Sequence, residues 1–313
     1  MSIDVLGLGA VAMDMVLTCD HLPNEDGYAV IQTETLMPGG SCANVLVTLS
    51  GLGAKPGLVS QLGNDTVGRK LLDDLQSCDV ETRYVSIKNG GISMHTYVAV
   101  DRNGEKTIFC NMGDSLLTLS ETDVHAAMLD GVKVFYTDMQ PAAPALKLAR
   151  LCREREIPVI YNLQVEPAFL NQCGITTPLI EEMLSLCSLL VTFKKGLTQQ
   201  TGNGDLMTAA ASLYDVCQPE MGIIVTLGKD GAVWVGGNDG LSVPAFQVEA
   251  RDTTGAGDAF IGGFIHAMFL EKRDQRTSMT FATACAALKC LQPGPRVNAS
   301  KSSVWHFIEG VGK

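Results

Sequence analysis

Short apolar runs alternate with longer amphipathic segments along the second half of the chain, from residue 121 to residue 227. The amphipathic segments have the period of helices, and the apolar runs have the length of buried strands. The predicted helices cover 121–129, 142–155, 176–186 and 205–216, and the predicted strands cover 132–137, 157–162, 188–193 and 222–227. This alternation is typical of βαβ units. It predicts a doubly wound α/β fold, in which a mostly parallel sheet has helices on both faces.

Polar residues and glycine follow several of the predicted strands. In a sheet of this kind, ligands bind beyond the carboxyl ends of the strands. The residues at these ends are Asp138, Gln140, Asn162, Gln164, Thr226 and Gly228. We therefore expect a ligand site along this edge of the sheet.

The first third of the chain interrupts this pattern with two groups of extended segments, at about 14–36 and 82–110. The second group contains a strong hairpin-turn signal, DRNGE at 101–105. Between the groups, the pattern predicts a helix from Ser41 to about Leu49, a strand at 57–62 and a helix at 65–78. We interpret the two groups as one small sheet that covers the main sheet as a lid, within a single domain of residues 1–313.

Composition narrows the classes of function. The formal net charge of −11 argues against nonspecific binding to nucleic acid or to anionic membranes. The longest uncharged apolar segments, 259–270 and 277–288, are shorter than the ~18 residues that a membrane span needs. The ten cysteines are scattered singly, and no secretory signal is evident at the N-terminus. We therefore expect reduced thiols in a cytoplasmic protein.

The segment RDTTGAGDAFIGGF, residues 251–264, holds the strongest candidate chemistry. It places small residues directly before a helix that is apolar on most sides and therefore buried. Gly255, Ala256 and Gly257 let backbone N–H groups converge on an anion at the helix N-terminus. Asp258 then lies beside that anion and can accept a proton, an arrangement suited to phosphoryl transfer to a hydroxyl. The same spacing also suits an ordinary strand-to-helix turn with Asp252 or Asp258 as N-cap.

A second segment, PGGSCANVL, places a Pro-Gly-Gly turn before the helix that Ser41 is expected to cap. Backbone at Gly39 and Gly40 can approach a ligand closely, and Asn44 can present its amide from the first turn. Asn44 would alternatively be a buried helix residue bonded to neighbouring backbone.

Two short patterns carry little weight. Gly7, Gly9 and Ala12 match a dinucleotide fingerprint, but the residues that follow favour a strand where that motif requires a helix. The segment GNDTVGRK resembles a P-loop, but Arg69 and Lys70 stand where Lys and Ser or Thr are required.

The two longer segments together resemble the signatures of the ribokinase-like (PfkB-type) carbohydrate kinases. RDTTGAGDAFIGGF is similar to the C-terminal signature, and PGGSCANVLVTLSGLGAKPGLVSQLGNDTVGRKLL is similar to the N-terminal one. The order and separation of the two signatures fit the family over nearly the whole chain. The resemblance implies a doubly wound α/β domain with a small β lid.

The resemblance also implies roles for individual residues. Asp258 would be the catalytic base, and Gly255, Ala256 and Gly257 would form the anion hole. The sugar-binding positions would be Asp14, Gly39, Gly40, Asn44 and Gln140, and the nucleotide side would comprise Thr226, Gly228 and Thr283. Asp252 and Thr254 match positions that shape a monovalent-cation site, for K⁺, in some members.

Three departures from the family pattern bear on the substrate and the rate. Phe193 and Gly196 replace a polar pair that lies beside Mg²⁺ and the phosphates, so Lys194 or Lys195 would meet the phosphates instead. Ala12 stands where ribokinase has an amide. Gln140 replaces an acidic sugar contact, and these last two changes make ribose itself less expected.

The resemblance implies an enzyme that transfers the γ-phosphoryl group of ATP, with Mg²⁺, to a hydroxyl of a sugar or sugar acid. A nucleoside kinase with a lid of Tyr28, Met94, Tyr97 and Phe109, a phosphosugar kinase, and a sugar or nucleotide sensor are the alternatives on the same fold. An NAD-linked oxidoreductase rests only on the weak Gly7 to Ala12 pattern. Lid edges often pair in this family, so we also expect a homodimer formed through the lid.

Overall fold

The structure is a computed structural model, and it describes residues 2–165, 167–236 and 240–311. The strands in chain order are β1 Val5–Leu8, β2 Ala12–Cys19, β3 Ile31–Gly39, β4 Pro56–Gly63, β5 Glu81–Lys88, β6 His95–Val100, β7 Lys106–Asn111, β8 Val134–Thr137, β9 Val159–Leu163, β10 Leu189–Phe193, β11 Ile223–Thr226, β12 Ala232–Val235 and β13 Leu241–Val243. The α-helices are α1 Ser41–Gly51, α2 Thr66–Ser77, α3 Ala142–Glu154, α4 Pro167–Gln172, α5 Thr177–Leu186, α6 Lys194–Thr201, α7 Leu206–Cys217, α8 Ala256–Ile265, α9 Gln275–Cys290 and α10 Lys301–Val311.

The large sheet has the order β13-β12-β11-β10-β9-β8-β1-β4-β5 among the described residues. Its strands from β11 to β5 are parallel, and β12 and β13 continue it as an antiparallel edge. Phe135 packs into the apolar cluster with α3, α5 and α7, whereas the next residue, Tyr136, packs into the cluster with α1, α2, α8 and α9. Side chains of a strand alternate between the two faces of the sheet. The predicted doubly wound fold with helices on both faces is confirmed.

The small sheet has the order β3-β2-β6-β7. Strand β6 runs parallel to β2, and the other pairs are antiparallel. All six residues of β7 are exposed, as are the first six of β3, so much of this sheet faces solvent. We call it the lid sheet.

The second lid segment is shorter than 82–110. Strand β5 belongs to the large sheet, where it pairs in parallel with β4, and the lid sheet takes up the chain only at His95. Strand β5 is half exposed because it lies at the edge of the large sheet. Its hydrophobic pattern therefore matches that of a lid strand. The pattern alone cannot distinguish an edge strand of the large sheet from a strand of the lid sheet.

Two helix predictions also need correction. The predicted helix 121–129 consists of two short 3₁₀ turns, Glu121–Asp123 and Ala126–Leu129, because Val124 and His125 between them are extended. Helix α1 is capped by Gly40, not Ser41. The φ of Gly40 is 90°, and a Cβ there would lie 2.5 Å from the carbonyl oxygen of Ala10.

No α-helix in the described ranges is long and apolar enough to cross a membrane. Cysteines such as Cys42 and Cys285 are free thiols buried in the core.

Candidate active site

The N-terminus of α8 forms an open cradle of backbone groups. Its N-cap, Gly255, has a φ of 76°, and a Cβ there would lie 1.8 Å from the carbonyl oxygen of Pro295. The first N–H that bonds back into α8 belongs to Ala259, which donates to Gly255. The N–H groups of Gly257 and Asp258 precede that bond, and the space beside Gly257 is open to 4 Å. This end of the helix therefore offers N–H groups and a positive dipole to an anion.

Asp258 is held by two side chains of α1. Ser41 Oγ donates to Asp258 Oδ1 at 2.6 Å, and Asn44 Nδ2 donates to Oδ2 at 2.8 Å. Burial raises the pKa of Asp258 to about 6, and the two hydrogen bonds act in the opposite direction. At neutral pH the carboxylate is therefore ionised and close to its pKa, as a proton acceptor should be. The interpretation of Asp252 or Asp258 as a plain N-cap is wrong, because Gly255 occupies the cap.

A second layer of side chains fixes these two partners. Arg296 Nε donates to Asn44 Oδ1 at 3.3 Å, and Arg296 also pairs with Asp74 of α2. Asn162 Nδ2 donates to Ser41 Oγ at 3.3 Å and to the hydroxyl of Tyr136 at 3.1 Å. The amide of Asn44 thus keeps its nitrogen on Asp258. The alternative in which Asn44 only bonds to neighbouring backbone is wrong.

Two cavities meet at the cradle. The strand-end cavity, about 250 Å³, lies beyond β9, β10 and β11 and is lined by Asn162, Gln164, Val191, Thr192, Phe193, Thr226, Gly255, Gly257, Asp258 and Ile261. The hairpin cavity, about 290 Å³, lies beyond the β12–β13 hairpin and is lined by Thr226, Gly228, Lys229, Gly231, Ala245, Phe246, Gln247, Val248, Ala250, Thr253, Ala256, Gly257, Phe260, Thr283, Ala286, Ala287 and Cys290. Thr226 and Gly257 line both cavities, so two ligands can meet beside Asp258.

The lid sheet brings Asp14 to the same region. Thr96 Oγ1 donates to Asp14 Oδ1 at 2.6 Å. A Cβ at Gly39 would lie 2.9 Å from Asp14 Oδ2 and 3.6 Å from Pro295. Because Gly39 has no side chain, Asp14 Oδ2 has room beside Pro295. Pro295 also lies against Gly255, so Asp14 is close to the cradle.

A buried polar group lies at the end of β8. Asp138 is almost fully buried and accepts hydrogen bonds from the backbone of Ala10 and Gln140 and from Gln164 Nε2. Burial raises the pKa of Asp138 to about 7. Gln140 is also buried, and its Oε1 has no hydrogen-bond partner within the described residues. An unsatisfied buried acceptor of this kind suits a ligand hydroxyl.

Residues predicted for the nucleotide side fall into two groups. Thr226, Gly228 and Thr283 all line the hairpin cavity. Lys194, at the start of α6, is exposed and does not line either of these cavities, whereas its neighbour Phe193 lines the strand-end cavity. A contact between Lys194 and phosphates therefore stays a prediction.

Asp252 and Thr254 form a turn before the cradle. Asp252 Oδ1 accepts from the N–H of Thr254 and Oδ2 accepts from that of Gly294. The ammonium of Lys289 donates to the backbone carbonyl of Asp252 at 3.0 Å. Among the described residues, no group of three or more His, Cys, Asp or Glu side chains could hold a metal ion.

Several residues of the site could not be predicted from the sequence. Ser41 was expected to be a cap, and Tyr136, Arg296 and Asp74 were not predicted to contribute to the site. Asn162 and Asp138 could be predicted as site residues, because Asn162 lies at the end of a buried strand and Asp138 directly follows one. Ser41 and Arg296 could not, since their partners lie more than two hundred residues away in the chain.

The large sheet, the lid sheet and the cavities at the strand ends define a protein of the ribokinase fold. The ribokinase of Arabidopsis thaliana, solved with ribose and ATP, superposes with a TM-score of 0.83 at 20% identity and covers 99% of both chains. The model of the family described as pfkB family carbohydrate kinase matches residues 2–302. The chain belongs to this family, and it is a carbohydrate kinase, a phosphotransferase with an alcohol group as acceptor.

Its relatives act on different acceptors. The chain is 29% identical to the ATP-dependent ribose-1-phosphate kinase of Halopiger xanaduensis, over 97% of both chains. It is 25% identical to the nucleoside kinase of Methanothermobacter thermautotrophicus, over 94% of this chain and 92% of that one. The family therefore assigns the class of reaction, and the acceptor differs among its members.

Proposed function

We propose that this chain transfers the γ-phosphoryl group of ATP to a hydroxyl of an unphosphorylated sugar or sugar acid bound between the strand ends and the lid sheet, beside the strand-end cavity. One observation carries the proposal. An ionised carboxylate, Asp258, lines the strand-end cavity and follows Gly257, which lines both cavities, at the N-terminus of a helix whose N–H groups at Gly257 and Asp258 are available to an anion. Phosphoryl transfer needs this combination of a proton acceptor and a positive cradle.

In this proposal Asp258 acts as the general base. The acceptor hydroxyl becomes acidic only as its bond to phosphorus forms, so a base with a pKa of about 6 accepts the proton late in the step. Ser41 and Asn44 hold the carboxylate in place. The N–H groups of Gly255, Gly257 and Asp258 would stabilise the charge on the transferred phosphoryl group, whereas that of Ala256 donates to the carbonyl oxygen of Thr253 at 3.2 Å.

The acceptor would be held by polar groups of the strand ends and of the lid sheet. The carboxylate of Asp14 would accept from a pair of hydroxyls, and Gln140 Oε1 would gain the partner that it lacks. Gly39 and Gly40 keep the entrance free of side chains. We place Asn44 one step away from the acceptor, because its amide is already engaged by Asp258 and Arg296.

ATP would occupy the hairpin cavity, with its phosphates directed to the cradle. The apolar side chains of Phe246, Val248 and Ala287 suit a flat base, and Thr226, Gly228 and Thr283 lie along the same cavity. The described residues provide no carboxylate cage, which suits a Mg²⁺ ion that keeps its waters and is carried by the phosphates. When bound, Mg²⁺ would neutralise phosphate charge, with Asn162, Gln164 and Lys194 as candidates to contact its water shell or the phosphates.

The polar groups assigned to the acceptor favour a substrate without a phosphate group. Asp14 is a carboxylate and Gln140 has an unpartnered amide oxygen within the described residues, and both suit hydroxyl groups, whereas a phosphate would need cationic partners. The lid also disfavours a nucleoside. In the lid sheet, Tyr97 lies opposite Met15 of β2 on one side and opposite Phe109 of β7 on the other. Asp14 lies opposite Thr96, the residue before Tyr97. Alternation along the strands therefore puts both aromatic rings on the face opposite Asp14, where they cannot stack on a base held by Asp14.

That outer face of the lid supports a homodimer. Leu36, Tyr97 and Phe109 lie on it and are 39%, 42% and 65% exposed, and unpaired apolar sheet surfaces of this kind are prone to associate. Sedimentation of the protein should give the mass of a dimer. A monomer at micromolar concentration would remove this part of the proposal.

The free, buried thiols support a reducing, cytoplasmic location.

The direct test is ADP formation from ATP and Mg²⁺ with matched panels of acceptors. We expect turnover with an unphosphorylated pentose, hexose or sugar acid, and little with the corresponding phosphosugars or with nucleosides. Turnover only with a phosphosugar or only with a nucleoside would overturn the assignment of the acceptor. Measurable sugar or ATP binding without turnover of any acceptor would indicate a sensor.

A further inference from the structure

A lysine is buried at the base of the cradle. Lys289, in the last turn of α9, is fully buried. Its ammonium donates to the backbone carbonyl oxygens of Asp252 at 3.0 Å and of Gln292 at 3.1 Å. A buried charge is strongly destabilising unless it is well partnered. Two carbonyl dipoles and the nearby carboxylate of Asp252 provide partners at this position.

The two carbonyl groups belong to two different loops. The first loop, residues 251–254, leads directly into Gly255, and the second loop, residues 291–295, follows α9. The N–H groups of Arg251 and Asp252 also join the first loop to the end of α9, where they donate to the carbonyl oxygen of Cys290, and the N–H of Gly294 in the second loop donates to Asp252 Oδ2 at 2.8 Å. Pro295, at the end of the second loop, lies against Gly255. The ammonium of Lys289 therefore fixes the pair of loops on which the cradle rests.

We propose that Lys289 is a positioning residue for the cradle and that its ammonium serves as a built-in monovalent cation. Backbone carbonyl oxygens at a loop crossing are the ligands that K⁺ prefers. Here the ammonium occupies them, so Asp252 and Thr254 do not form a K⁺ site as the family resemblance implies. Turnover of this chain is therefore independent of K⁺. This inference rests on the proposed kinase activity.

A lysine that only stabilises the fold would behave differently. Its loss would lower the melting temperature equally in every salt. Loss of a built-in cation creates a site that an external cation can refill, so both stability and turnover of the variant would respond to K⁺ but not to a large organic cation.

The first arm uses the unmodified protein. Turnover and melting temperature are measured in KCl, NaCl and tetramethylammonium chloride at equal ionic strength. We expect kcat to agree within about twofold and the melting temperatures to coincide. A several-fold stimulation by K⁺ would overturn the proposal without any variant.

The second arm uses Lys289→Ala, with Lys289→Gln for the case that the alanine variant does not fold. In tetramethylammonium chloride we expect kcat to fall about 10²-fold, as for a displaced catalytic group, while the KM for the acceptor changes little. K⁺ or NH₄⁺ should raise the kcat of the variant at least tenfold above its value in tetramethylammonium chloride, and should raise its melting temperature. A variant indifferent to the cation in both measurements would overturn the proposal.

The matched control is Lys147→Met. Lys147 also donates to a backbone carbonyl, that of Glu121 at 2.6 Å, but it lies at the surface. It should show no response to the cation. If no acceptor supports turnover in the unmodified protein, the proposed function fails, and the melting temperatures still decide whether Lys289 acts as a cation.

Discussion

The two sides of the cradle are built differently. On the α1 side, Ser41 and Asn44 both donate hydrogen bonds to Asp258, and Arg296 in turn donates to Asn44. On the α6 side, β10 ends in Phe193 and an exposed Lys194. The proton acceptor and the backbone of the cradle are therefore held rigidly, whereas the α6 side offers the phosphates the exposed ammonium group of Lys194 and the ions that arrive with the nucleotide. Substitutions that disturb the cradle or the α1 side should cause large losses of kcat, and substitutions on the α6 side should cause small ones.

The largest of these effects is expected for Gly255→Ala. The new Cβ would collide with the carbonyl oxygen of Pro295, so the first turn of α8 must shift. Displacing the N–H groups should lower kcat by about 10²-fold or more. Gly202→Ala is the matched control, because Gly202 has a similar φ of 71° but no neighbour within 4 Å of a Cβ. Equal losses in both variants would show that backbone strain, not the cradle, is responsible.

An intermediate effect is expected for Asn44→Ala. The hydrogen bond from Asn44 lowers the pKa of Asp258, so its removal raises that pKa. In the unmodified protein, kcat should fall about tenfold per pH unit below the pKa of about 6. In the variant this acid limb should move to higher pH, and kcat at neutral pH should fall by about tenfold.

Ser50→Ala, in the last turn of the same helix, controls for changes in α1. Its pH profile should overlay that of the unmodified protein. An acid limb that stays in place in Asn44→Ala would mean that Asp258 does not set the pH dependence.

The smallest effect is expected for Lys194→Met. The side chain is exposed, and exposed charge pairs contribute little. The KM for ATP should rise by about threefold with kcat unchanged, while Lys70→Met, an exposed lysine of α2, should change neither. A loss of kcat as large as that for Gly255→Ala would reverse the comparison between the two sides.

Much of the fold could be predicted because the signals are local. The βαβ alternation predicted most strand and helix positions within a few residues, and RDTTGAGDAFIGGF predicted the buried helix that carries Asp258 in its first turn. Strand β5 was misplaced because an edge strand of the large sheet and a strand of the lid have the same half-exposed pattern. The two 3₁₀ turns were predicted as one helix because the segment has the amphipathic pattern of a helix, and the extended backbone of Val124 and His125 that interrupts it leaves no mark in that pattern.

The partners of Asp258 could not be predicted in the same way. Ser41 looks like a helix cap in the sequence, and only the packing of α1 against α8 turns its hydroxyl toward a carboxylate 217 positions away. Lys289 looks like an ordinary basic residue in the last turn of a helix. Its burial follows from the crossing of two loops, which no local pattern records.

Asp258 is the proton acceptor in the proposed mechanism, and Asp258→Asn tests this role most directly. The amide has nearly the same shape, can still meet Ser41, and cannot accept the proton. We predict that the KM for ATP and acceptor binding stay within several-fold while kcat falls by roughly 10²–10⁴. A variant with near-normal turnover would contradict the account.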